Sequence, residues 1–180
     1  MPKTRITAAD RLASLERLYG TPRTVPEKRD PDEECTVFPD GYAVAVCTSW
    51  ARYARRIEGA NRCELFGFLS EEVPESSIAR ACGGHDFAVV EGRYLVDGWL
   101  KDVEGSSPVA VFDLSDHANT DTVTRLYGPR EKWPRNFALE EAVDRESTDE
   151  RRDAMRGVKL WRRTRRTKPR NWIGPSENTQ

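Results

Sequence analysis

The sequence predicts an α+β fold, an antiparallel β-sheet flanked by helices at both ends of the chain, and three observations carry that expectation. Short apolar stretches bounded by turn residues recur at about 42–47, 62–69, 85–91, 93–97 and 108–113. Two of these, 85–91 and 93–97, are separated by Glu91-Gly92, a pair suited to a tight hairpin. Segments with apolar residues at helical spacing stand before and after the block. The chain has 180 residues, 37% of them hydrophobic and five of them Trp, which is enough apolar material for one core. A single domain over 1–155 is expected, its core at about 42–114.

The elements follow in order. Thr7-Ala8-Ala9-Asp10 opens a helix through Leu12, Leu15 and Leu18, stopped by Gly20 and Pro22. Thr21 to Glu34 is polar and punctuated by Pro, and reads as a connection. The apolar run from Tyr42 gives way to a helical pattern at Trp50, Ala51, Ala54 and Ile57, for which Thr48 or Ser49 offers a cap. A strand over 62–68 and the hairpin come next, then a strand at Pro108 to Leu114 and a short helix from Thr120 to Tyr127, ended by Gly128 and Pro129. From Ala138 to about Met155 a charged helix is expected, its Glu and Arg forming a solvated face. Arg17-Leu18-Tyr19-Gly20 and Arg125-Leu126-Tyr127-Gly128 are identical in sequence, and both suit helix C-termini capped by Gly.

Chemistry concentrates on three residues. His85 lies six positions before the Glu91-Gly92 turn and Asp97 five after it, so the hairpin makes them near cross-strand partners. A carboxylate beside an imidazole fixes its tautomer and supports its charged form. Cys47 sits at or just before a helix N-terminus, where unpaired amides favour a thiolate. Cys47, His85 and Asp97 therefore read as nucleophile, base and orienter. The competing readings are an inert core thiol at Cys47, a strand-end hydrogen bond at His85 and a turn-forming Asp97 before Gly98. The other histidine, His117, falls in an exposed loop and helix cap.

From Tyr42 to Trp99, about a third of the chain, the order and spacing resemble the papain-like superfamily of cysteine enzymes, most closely its transglutaminase-like branch. Separations of 38 residues from Cys47 to His85 and 12 from His85 to Asp97 match that minimal layout. The resemblance implies a papain-like core and an enzyme acting on an amide or thioester as hydrolase, deamidase or acyl transferase, with a protein or peptide substrate and no cofactor. The chain departs from the branch in carrying Ala45 two residues before Cys47, and in having no Asn or Gln among its first 46 residues to act as a second oxyanion donor. A non-catalytic protein-interaction module of a mobile-element or defence-related kind is the alternative.

Charge separates the two ends. Arg156 to Gln180 carries eight Lys or Arg and one acid, for a net charge of +7, whereas residues 1–155 carry −8. Arg156 to Arg170, with Trp161 nearby and Trp172 beyond, suits contact with an acidic surface or nucleic acid, or a solvated tail. No nucleic-acid-binding signature accompanies it. The four Cys, at 35, 47, 63 and 82, form no C-x-x-C pair, so no metal site is expected. No apolar run reaches membrane length, and the N-terminus lacks a signal-peptide core, so a cytoplasmic protein without membrane contact is expected.

Overall fold

The turn at Glu91 and Gly92 adopts positive φ at both residues, 56° and 63°, and Arg93 N–H closes it onto Val90 O at 3.1 Å. This type I′ geometry matches the twist of the strands it joins. In a computed structural model of the chain, the described residues are 6–20, 47–102 and 107–149, with the backbone of three short strands between 23 and 44. The chain divides into a unit Met1–Asp144 and a unit Arg145–Gln180. The expected boundary at 155 and the basic segment 156–180, with Trp161 and Trp172, lie outside the described residues.

Helix α1 (Ala8–Tyr19) begins at a reciprocal cap, Thr7 Oγ1 accepting the Asp10 N–H while the Asp10 carboxylate accepts the Thr7 N–H. It buries Leu15 and Tyr19 completely. Strands β1 (Arg23–Pro26), β2 (Glu34–Val37) and β3 (Ala43–Val44) form a separate antiparallel sheet in that order. This corrects two expectations: the segment at 42–47 does not join the main sheet, and the stretch read as a polar connection contains a strand. Val44 and Val46 alternate in a way that suits either sheet. Pairing with β2, nearer in sequence, decides between them.

Helix α2 (Cys47–Glu58) starts at Cys47 itself. Thr48 and Ser49 therefore lie inside its first turn and do not cap it. Strand β4 (Cys63–Leu69) follows, then α3 (Ser77–Cys82), β5 (Gly84–Val90), β6 (Tyr94–Val96), α4 (Gly98–Asp102) and β7 (Val111–Asp113). The main sheet is antiparallel in the order β4-β5-β6-β7. The six-residue α3 has too little periodicity to be read from sequence, and rests on Ser76, whose hydroxyl accepts the Ala79 N–H and donates to Leu126 O. A 3-10 turn (His117–Asn119) with exposed His117 leads into α5 (Thr120–Tyr127), and α6 covers 137–149.

Alternation along β5 sends His85, Phe87 and Val89 to one face and Asp86, Ala88 and Val90 to the other. On the first face the Phe87 ring packs against Tyr127 and Trp133 at centroid distances of 4.9 and 5.0 Å, with Phe66 and Phe68 alongside. Truncating such a buried aromatic costs about 3–5 kcal/mol. On the second face lies α2, tied to α6 by Arg55, which is buried, donates to Cys63 O and pairs with Asp144 and Glu140.

Candidate active site

Strand length creates the site. Residues 88–90 of β5 pair with β6, but β6 stops at Val96, so 84–87 run on without a neighbour on that side. Val90 O faces β6, and by alternation so does the Asp86 N–H. With no strand there to receive it, that N–H donates to Cys47 Sγ at 3.5 Å. The first residue of α2 thus occupies the place where β6 would have continued.

Asp97 sits where β6 turns into α4. Continuing the register would set it opposite Phe87, two residues from His85, so the two are diagonal neighbours on one face instead of direct partners. The contact is nonetheless made, His85 Nε2 lying 2.6 Å from Asp97 Oδ2. The other oxygen, Oδ1, accepts the Leu100 N–H at 3.2 Å and caps α4. Asp97 therefore meets the imidazole with one oxygen and forms the turn with the other. Gly98, the next residue, has no room for a side chain because a Cβ would run into the Trp50 ring. This close approach seats α2 against the turn that carries Asp97.

His85 is 3% exposed and Asp97 1% exposed. Burial would lower the His85 pKa, but the adjacent Asp97 carboxylate and the Cys47 sulfur more than reverse this and raise it to about 10. His85 Nδ1 is buried without a conventional hydrogen-bond partner. For Cys47, burial pushes the thiol up, while the polar contact and charge of His85, helped by the Asp86 N–H, outweigh it and hold the thiol below its ordinary value. The sulfur and ring therefore act on each other without a fully formed hydrogen bond. Cys63, by contrast, is pushed up to about 12 by burial in the core.

Residues that sequence reasoning missed complete the arrangement. Tyr127, fully buried, donates its hydroxyl to Asp97 Oδ2 at 2.7 Å; burial drives its pKa far above the phenol range, so it remains a donor. Its only sequence signal is the repeated Arg-Leu-Tyr-Gly, whose other Tyr19 is also fully buried and also reaches a carboxylate, Glu58, at 3.4 Å. Asp86 holds Thr48 Oγ1 at 2.5 Å and Asn136 Nδ2 at 3.3 Å, joining the start of α2 to the start of α6. Gly67 faces it across the strands, and a Cβ there would overlap Asp86 Oδ1.

Cys47, His85, Asp86, Gly67 and Asn136 line one surface cleft of about 460 Å³. Among the described residues no three His, Cys, Asp or Glu side chains converge where a metal ion could sit, and no helix is long and apolar enough to cross a membrane. Comparison with protein families, curated proteins and solved structures finds no match to this chain.

Proposed function

We propose that the protein is a papain-like cysteine hydrolase, deamidase or acyl transferase that acts on an amide or thioester through Cys47, His85 and Asp97. One observation carries the reading: a buried imidazole gives one nitrogen to a carboxylate at 2.6 Å, leaves the other without a conventional partner, and lowers the thiol of a cysteine at a helix start. The order in which helix, β5 and the end of β6 supply these residues supports the transglutaminase-like branch.

The chemistry follows from the geometry. The Cys47 thiolate, held by the Asp86 N–H and an imidazolium, attacks a carbonyl carbon. His85 then gives its proton to the departing amine or thiolate, leaving an acyl group on Sγ. Water or an amine, deprotonated by His85, releases it. Asp97 keeps the ring oriented and stabilises its charge throughout. The cleft is walled partly by Gly67, Gly83 and Gly84 and bears Leu69, which is 59% exposed; Phe137, next to Asn136, is 66% exposed. Accessible backbone and apolar side chains suit a polypeptide substrate.

Alkylation by iodoacetamide at pH 6 tests the reading, followed by peptide mass spectrometry. Cys47 is expected to react faster than Cys35, Cys63 or Cys82, and to lose that advantage in His85→Ala. Equal or slower labelling of Cys47 in the parent protein rejects it as nucleophile and leaves the interaction module as the better account.

A further inference from the structure

A tetrahedral intermediate at Cys47 needs two donors for its oxyanion, and the helix start provides one, the Cys47 N–H. Nothing upstream of Cys47 can provide a side-chain amide. Asn136, 89 residues downstream, reaches the same cleft. Building on the cysteine-enzyme reading, we propose that Asn136 is the second oxyanion donor.

The orientation of its amide is set from both ends. Oδ1 accepts the Leu139 N–H at 3.1 Å and caps α6, so Nδ2 must be the group turned toward Asp86. Of the two Nδ2 hydrogens, one goes to Asp86 Oδ1, and the other has no partner among the described residues. Asp86 is at the same time bonded to Thr48, the neighbour of Cys47, and gives its own N–H to Cys47 Sγ. A single residue therefore links sulfur, helix start and amide.

The backbone of Asn136 is equally fixed. Its N–H donates to Leu65 O at 2.8 Å, and Gly67 N–H donates to Pro134 O at 3.2 Å, so residues 134–136 pair with the outer edge of β4. Arg135 adds a two-pronged contact to Glu140, at 2.9 and 3.0 Å, and a third to Glu64. A donor held this firmly costs no reorganisation when charge develops on the substrate oxygen.

In the step itself the Sγ lone pair forms the S–C bond while the carbonyl π pair moves to oxygen. That oxygen then accepts from Cys47 N–H and Asn136 Nδ2. On collapse the pair returns, the bond to the leaving group breaks, and the leaving group takes the proton from His85.

Two reagents separate this role from others. Acylation of Cys47 by p-nitrophenyl acetate passes through an oxyanion, whereas alkylation by iodoacetamide is a direct displacement and does not. Asn136→Ser keeps a capping oxygen for α6 but loses the amide. Its burst of p-nitrophenolate, defined as the part absent in Cys47→Ala, is expected to slow by about 100-fold with the alkylation rate within twofold of the parent. Asn136→Thr, which also caps and adds no charge, provides the same ratio should the Ser variant fold poorly. An unchanged burst, or acylation and alkylation falling in equal proportion, overturns the assignment while leaving Cys47 as nucleophile. A parent protein whose Cys47 reacts with neither reagent overturns both.

Discussion

Tyr127 donates to the same Asp97 oxygen that receives His85 Nε2, at 2.7 and 2.6 Å respectively. A phenol and an imidazole thus converge on one buried carboxylate oxygen. The Tyr127 ring also packs on Phe87, so the residue serves core and site together.

Tyr127→Phe keeps the ring and removes only the hydroxyl. Urea denaturation is expected to show a loss of about 1.5–3 kcal/mol, the usual worth of a hydrogen bond to a charged group. Cys47 should stay reactive, since His85 keeps its carboxylate. A variant as stable as the parent would mean that the hydroxyl does not bond Asp97 in solution.

Substitution of Asp97 distinguishes its two oxygens. Asp97→Asn retains an acceptor for the Leu100 N–H and loses the charge that raises His85. It should fold, with Cys47 alkylation at pH 6 reduced at least tenfold. Both variants leave His85 buried without its counter-charge, and Asp97→Ala loses the cap as well, at an expected further cost of about 0.5–2 kcal/mol relative to Asp97→Asn. Equal stability of the two variants, measured by denaturant melts, would contradict the cap.

The Cys47 and His85 shifts set a pH signature. His85 is raised from 6.5 to about 10, so its stabilisation is complete below pH 6.5 and fades as pH climbs toward 10. Cys47 is lowered from 9.0, so its part is complete above 9 and fades as pH falls. Between 6.5 and 9 the two contributions therefore oppose each other, that of Cys47 growing with pH while that of His85 fades. Cys47→Ala leaves His85 alone, and its melting temperature should decline across this window relative to the parent. Parallel curves would reject the ion pair.

How much of this was legible in the chain depends on the range of the interactions. Local rules located α1, with its Thr7 cap, and the Glu91-Gly92 hairpin, because a few neighbouring residues determine each. His85 and Asp97 were legible as neighbours through spacing around that hairpin, and Cys47 through its place before a helical pattern. Asp86 looked like an ordinary strand residue, since its place beside Cys47 depends on β6 being only three residues long, and Asn136 lies 50 residues beyond it. The strands between 23 and 37 escaped notice because Pro and charge obscured their periodicity.

Gly67 provides a test of the Asp86 position. Gly67→Ala places a methyl group against Asp86 Oδ1, which must then shift away from Asn136 or Thr48. The expected cost is about 1–3 kcal/mol, as for other overpacked sites. Cys47 alkylation should change with it, because the Asp86 N–H is the strand's contact to the sulfur. A crystal structure of the variant with Asp86 unmoved would remove the basis for the expectation.

The early end of β6 sets a boundary on how this fold can vary. Two further residues of regular strand would satisfy the Asp86 N–H with a peptide carbonyl and leave no berth for the sulfur. Asp97 would then lie within the strand opposite Phe87 and no longer cap α4. The seat of the Cys47 sulfur is thus a property of an unfinished ladder: a lineage that lengthened this strand would gain ordinary sheet and lose that seat, with no change at Cys47 or His85.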